Sequence, residues 1–259
     1  MYRIDIDDRI FLSSNFVDGA GSSAIRDYLA ALGSPGVTSV RYFSNTADTR
    51  TTGVDASARY VWQWDGGDRL TATLGYNRNK TELTRVASTP EQLRALGVRT
   101  PLFDITERTR VEKGQPRDNL TLALAWDAGP WSVHLGTHRY GRIEQVAATN
   151  QSAANVAQFA QGSTAFRTLP TEAGTAGNYD VIQRLDAKWI TDADVSLRIS
   201  KHLMLTLGAD NVFNTYPTRN IATTPAVSGA DTYGVFPYSE LSPFGWSGAY
   251  YYGRLQVKF

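Results

Sequence analysis

The chain has no cysteine among its 259 residues, so neither a disulfide framework nor a thiolate metal site is available to it. That absence leaves the compartment open. Long apolar runs are missing as well. With 42% hydrophobic residues, 20% charged and a mean hydropathy of −0.31, no stretch approaches the roughly 20 apolar residues of a membrane helix. A helical membrane protein is excluded. Net charge is nearly absent: 26 Lys and Arg stand against 25 Asp and Glu, a formal +1 that argues against a nucleic-acid partner. No nucleophile stands beside a base, and there is no phosphate loop and no zinc spacing. The sequence therefore points away from an enzyme and implies no metal and no cofactor.

What the chain does have is alternation. In Ser247 to Phe259, Tyr251, Leu255, Val257 and Phe259 share one strand face with Gly253 between them, while Tyr252, Arg254, Gln256 and Lys258 share the other. Ending on an aromatic of the apolar face is how outer-membrane barrels close. Seven other segments fit the strands of such a barrel, apolar outward and polar inward. Leu203, Leu205, Leu207 and Ala209 alternate with Met204, Thr206, Gly208 and Asp210, and the odd positions from Leu185 to Ile199 alternate with mostly polar residues. Leu120 to Trp126, Trp131 to Leu135, Val54 to Trp64 and Leu70 to Tyr76 repeat the pattern. The first strand, residues 2–13, is weaker, with Tyr2, Ile4 and Ile6 as its apolar face.

The connections come in two sizes that take turns. Asp65-Gly66-Gly67-Asp68, Asp127-Ala128-Gly129-Pro130 and Ser200-Lys201 have the residues of tight hairpin turns. The links near 14–38, 86–106, 147–180 and 214–245 are long and polar. The fold class is therefore all-β: an antiparallel up-and-down transmembrane β-barrel segment of about eight long strands, with short periplasmic turns and long extracellular loops. Trp62, Trp64, Trp126 and Trp131 flank the short turns, where an interfacial aromatic girdle belongs. Two loops are expected to hold short helices: residues 23–32 before Gly33, and residues 89–97 with Thr89 as cap, Pro90 as first helical residue and Gly97 as stop.

Few residues invite a chemical role. His134 and His138 lie on one strand face about 13 Å apart at ~3.3 Å per residue, too far to share a metal, and read as lumen residues. Asp5, Asp7 and Asp8 alternate between faces with no glycine-spaced loop, so solvation explains them better than calcium. The last long link carries Tyr216, Tyr233, Phe236, Tyr238 and Trp246, joined by Arg219, as candidate ligand contacts at the mouth. An outer aromatic girdle accounts for the rings equally well, and Arg219 with Asn220 suits an anionic group.

Several motifs resemble one family. GADNVFNTYP at 208–217 resembles the penultimate-strand signature of TonB-dependent outer-membrane receptors, and YYGRLQVKF at 251–259 resembles their closing strand. YRIDIDDRI at 2–10, VRYFSNTADTRTTGVD at 40–55, RVEKGQPRDNLTLALAW at 110–126 and HRYG at 138–141 resemble it in the same order. The resemblance implies an outer-membrane transporter with a plug inside a barrel of about 22 strands. It implies energised uptake of a scarce ligand such as a ferric siderophore or other iron chelate, with haem, cobalamin, nickel chelates and oligosaccharides as the family's other cargoes. Residues 1–259 would be the C-terminal portion of that barrel, with the plug domain and the earlier strands absent. The partners implied are outer-membrane lipid, the TonB complex through the missing N-terminal region, and the barrel-assembly machinery. Tyr251, Leu255, Val257 and Phe259 would form the assembly signal.

No secretory signal precedes Tyr2, so the start reads as internal to a longer protein. A self-contained eight-stranded barrel with a structural, adhesion or pore role is the alternative, since eight strands can close around packed side chains. A soluble β-sandwich is a third reading, disfavoured because soluble strands usually run about 3–10 residues.

Overall fold

A computed structural model describes residues 1–18, 21–159, 165–172, 174–221 and 237–259. In chain order its strands are β1 (Tyr2–Leu12), β2 (Phe16–Val17), β3 (Ser39–Val40), β4 (Phe43–Gln63), β5 (Arg69–Val86), β6 (Asp118–Ala128) and β7 (Trp131–Tyr140). They continue as β8 (Ile143–Gln151), β9 (Phe166–Pro170), β10 (Tyr179–Leu185), β11 (Lys188–Arg198), β12 (Leu203–Asp210) and β13 (Tyr250–Val257). Four short helices lie in the links: α1 (Ala24–Ala31), α2 (Glu91–Ala95), α3 (Ile105–Lys113) and α4 (Ala153–Phe159).

Eight strands form one antiparallel sheet in the order β1-β4-β5-β6-β7-β11-β12-β13, so wall neighbours follow one another along the chain. These are the eight segments that alternation picks out. Partners directly across an antiparallel pair share a face. One row therefore runs Tyr60, Ala72, Leu124, Leu135, Ala193, Ala209, Tyr251 across seven strands, and the next runs Trp62, Leu70, Trp126, Val133, Val195, Leu207, Gly253. The opposite face carries Arg59, Thr73, Ala123, Gly136 and Asp192 in one such row. The apolar face is uncovered: Trp62, Leu74, Leu207 and Leu255 are 43%, 43%, 54% and 61% exposed. A band of that extent marks a membrane-facing or partner-facing surface rather than the inside of a sandwich. Above it, on the side away from the short turns, the same face turns ionic at Asp118 and Arg139, which bond each other.

The short turns behave as their residues dictate. Gly67 and Gly129 take φ of +87° and +53°, the left-handed region that favours glycine. The third turn spans Ser200 to His202, closed by Ile199 N–H to Leu203 C=O at 2.9 Å, one residue longer than expected. On the polar face the Tyr252 ring lies over Gly208, where any Cβ would collide with it. That glycine gives the ring its place on the sheet.

Several expectations need correction. The sheet does not close: β1 and β13 are its two edges, so the closed eight-stranded barrel is not the arrangement observed. Tyr2, Ile4 and Ile6 do not extend the outward apolar face. They pair with Gly53, Thr51 and Thr49 and share the polar face of β4, while Asp5 pairs across from Arg50. The reason is height. β1 pairs only with the part of β4 above the apolar band, where the outer face meets water and no longer needs to be apolar. There Asp5 bonds Arg3 at 2.8 Å and Arg50 at 2.7 Å, and Asp8 bonds Arg85 at 2.5 Å, so the acidic run is largely ion-paired. Pro90, not Thr89, is the N-cap of α2, and the Thr89 hydroxyl donates to the Thr100 carbonyl at 3.1 Å.

The long links are built, not bare. The β7–β11 pairing passes into β8–β10 across a break at Gly141–Arg142 and Asp186–Ala187, and β9 completes a separate three-stranded sheet. Among the described residues, two buried apolar clusters lie in these links. One joins Ala147, Ala148, Phe159, Val181 and Ile221, and the other joins Phe16, Ile25 and Leu102. Polar-looking loops thus carry their own small cores above an open wall.

Candidate functional site

The last link begins in the GADNVFNTYP segment, and its asparagines explain how. Asn211 and Asn214 take φ of 50° and 53°, a region asparagine tolerates better than most residues. Asn211 donates its N–H to Asp192 Oδ1 at 2.7 Å and exchanges two 2.8 Å bonds with Thr215. Asn214 Oδ1 accepts the N–H of Ala249, 35 residues on, at 2.9 Å. The segment therefore staples the neck of the link where the chain leaves β12 and returns to β13. Gly248 sits against Tyr216 and Asn214, with φ +75°.

From that neck the chain is locked beneath the three-stranded sheet by buried amides. Gln183, fully buried, donates to the Arg219 carbonyl at 2.6 Å and accepts from Ile221 N–H at 3.2 Å and from Gln145 Nε2 at 3.1 Å. Gln145 also donates to Asn220 Oδ1 at 2.8 Å and accepts the Ser239 hydroxyl. Each group has a partner, which is what a buried polar network needs to be stable.

The candidate ligand contacts fall in and around this lock. Tyr216 stacks on Tyr238 with ring centroids 5.9 Å apart, and the Arg219 main chain bridges to Tyr238. The structure thus brings Tyr216, Arg219 and Tyr238 together. Trp246 is 41% exposed further along the link. Tyr233 and Phe236 lie outside the described residues. In β13, Tyr251 and Leu255 pair with Ala209 and Leu205, Val257 pairs with Leu203, and Phe259 extends past the strand on a chain held by Lys258 N–H to His202 C=O at 2.9 Å. His134 bonds Asp194 at 3.1 Å and His138 stacks on Tyr140 at 4.0 Å, both on the polar face.

Sequence reasoning missed α3, which bonds to every long link. Asp104 caps it by accepting from the N–H groups of Thr106 and Glu107, at 2.9 and 3.1 Å. The pattern Asp104-Ile-Thr-Glu107 was the available signal. From this helix Glu107 takes Arg41 of the first link at 2.5 Å, and Lys113 reaches Glu144 of β8 at 3.1 Å. Arg108 pairs with Glu172, and Arg110 reaches Glu240 of the last link at 3.5 Å. Glu112 accepts the Leu83 N–H of β5 at 3.0 Å, which seats the helix on the wall. A cavity of about 390 Å³ bounded by Asn79 and Thr81 of the polar face and by Arg110 and Glu112 places α3 over the lumen side.

Glu144 is the best example of charge tuning here. Burial alone would push its carboxyl up, but hydrogen bonds from Arg167 and Lys113 outweigh that and hold it below its ordinary value of 4.5. A lowered folded value means that the bonded carboxylate contributes fully above the unfolded pKa and that its contribution is lost as pH falls through the folded one. Acidification below 4.5 should therefore loosen β8 and β9 from α3 while the wall stays intact. Faster amide exchange in β8 and β9 at low pH, absent in Glu144→Gln, is the expected pattern; equal pH dependence in both proteins would reject it.

With the wall, the stapled neck and the helix in place, relatives can be compared. Residues 1–212 match the family described as TonB dependent receptor-like, beta-barrel. The chain belongs to that family of receptor barrels. Among solved structures, the outer membrane transporter YddB from Escherichia coli is similar with a TM-score of 0.54 at 10% identity, over 99% of this chain and 29% of that one. The copper transporter OprC gives a TM-score of 0.45 at 14% identity, over 99% of this chain and 27% of that one. No curated protein matches. These likenesses concern the fold, and this receptor-barrel chain spans less than a third of the length of either solved relative.

Proposed function

We propose that this chain is the C-terminal part of the barrel of an outer-membrane TonB-dependent transporter, which takes up a scarce ligand such as a ferric siderophore. The carrying observation is the family match over residues 1–212, on a sheet that keeps an apolar face outward for seven strands and caps its polar face with bonded loops. A plug domain and the earlier strands belong upstream, and the TonB complex acts through that upstream region. Tyr216, Arg219, Tyr238 and Trp246 are the ligand contacts in this reading, at the neck of the last link.

The test is uptake. Cells carrying the gene should place the protein in the outer-membrane fraction and accumulate labelled ferric chelate in a manner abolished by loss of TonB or by an uncoupler. Accumulation indifferent to both would sink the transport reading. Assembly gives a separate test, because Tyr251, Leu255, Val257 and Phe259 are proposed as the signal read by the barrel-assembly machinery. Deleting Phe259 should leave most of the protein without heat-modifiable mobility; unchanged mobility and unchanged outer-membrane yield would rule this out.

A further inference from the structure

At the break where β7 passes into β8, the sheet opens a cavity of about 760 Å³ between the middle of β4 and β5, the upper end of β6, the C-terminal end of α3 and the first residues of β8. Its volume falls in the range of small-molecule sites. Five cationic residues and two acidic ones line it, and their partners decide its field. Both acids are already neutralised. Asp118 is held by Arg139, and Glu144 by Lys113 at 3.1 Å and Arg167 at 3.0 Å. Three of the cations are not. Arg117 makes a single 3.4 Å bond to the Glu112 carbonyl, and neither Arg78 nor Arg142 has a side-chain hydrogen bond or ion pair among the described residues.

The backbone sets Arg142 at the rim. Gly141 N–H donates to the Asp118 carbonyl at 2.8 Å, and a Cβ on Gly141 would stand 2.6 Å from that oxygen and 2.9 Å from Oδ1 of the same residue. Only glycine lets the chain pass so close to β6 before it turns out of the wall. The turn leaves Arg142 outside both sheets' ladders, exposed and facing a cavity whose acids are already paired.

We propose that this cavity binds a small polyanion, a solute bearing two or more carboxylate or phosphate groups, through the guanidinium groups of Arg117 and Arg142. Planar guanidinium forks match both oxyanions bidentately, so each of the two arginines can take one anionic group. The inference names a ligand chemistry within the transport reading and rests on it. The cavity lies apart from the Tyr216–Tyr238 neck, so the two can be tested separately.

The experiment is calorimetric titration of the outer-membrane protein, purified in detergent at low ionic strength, with citrate and with pyrophosphate. At least one probe should bind with an affinity that falls as salt rises. The Arg117→Gln/Arg142→Ser double variant should lose at least about tenfold in affinity, as expected for loss of roughly 1.4 kcal/mol or more of binding. Heat-modifiable mobility must be unchanged in the variant, and Arg59→Gln, a lumen-face cation below the cavity, should bind as the parent does. Binding of citrate alone identifies a carboxylate ligand, and binding of pyrophosphate alone a phosphate one. Failure of both probes to bind, or equal binding by the double variant, overturns the proposal. If either occurs while TonB-dependent uptake persists, the cavity assignment alone is wrong; probe binding without such uptake removes the transport reading instead.

Discussion

Replacing Leu122 by arginine should destabilise the barrel wall by about 2–4 kcal/mol, the cost of a charge on a lipid-facing strand near the bilayer midplane. Leu122 lies four residues from Trp126 at the lower edge of the apolar band and four from Asp118 at its upper edge. At ~3.3 Å per residue that is about 13 Å along the strand in each direction. Leu74 and Thr137 stand directly across from it on the same face. An arginine side chain there cannot easily reach either interface. One residue on, Ala123 faces Thr73 and Gly136 on the polar side, so Ala123→Arg should cost far less. Urea titrations followed by heat-modifiable mobility would separate the two. Equal losses, or the larger loss at Ala123, would mean that the faces have been assigned the wrong way round.

Gln183→Leu should free the last link from the three-stranded sheet. The substitution keeps roughly the side-chain volume but leaves Ile221 N–H and the Arg219 carbonyl without their partner, at about 1–3 kcal/mol for each buried group left unsatisfied. Gln145 keeps Asn220 and Ser239, so the remaining network is weakened rather than emptied. Because the wall strands share no bond with Gln183, the effect belongs to the loops. Hydrogen exchange at residues 218–221 and 237–239 should quicken strongly, with the exchange of β5 to β7 unaltered. Parental exchange in the last link would show that the amide lock does not hold it.

These two substitutions probe parts of the molecule with different origins of stability. In the wall, backbone ladders between sequential neighbours carry the structure, and the apolar face answers to lipid. In the links, burial of Phe16, Phe103, Phe159 and Val181 and a fully partnered amide network do the same work in water. The ion pairs radiating from α3 join the two parts, and the partly buried Glu144 carboxylate makes one of those joints sensitive to acid.

The sequence by itself determined the wall. A period of two along Leu120, Leu122, Leu124 and Trp126, a glycine in the 65–68 and 127–130 turns and alternating link lengths fix strands, faces and neighbour order, because each is a local property of the chain. The closing strand was legible in the same way, and the GADNVFNTYP segment through its resemblance to a family signature. Tertiary structure decided the rest. That Tyr2, Ile4 and Ile6 turn to the polar face follows from how high β1 meets β4, a matter of register between segments some 45 residues apart. Gln145 and Gln183 come from one link and Asn220 from another, some 35 residues further on, and no local pattern in either link names its partners in the other. Arg142 looks like any other arginine in the sequence. Its free guanidinium emerges only when Gly141 packs on Asp118, Arg139 takes that carboxylate, and Lys113 with Arg167 take Glu144. Spacing along a chain reports which face a residue is on, whereas which charges remain unpaired depends on what folding brings beside them.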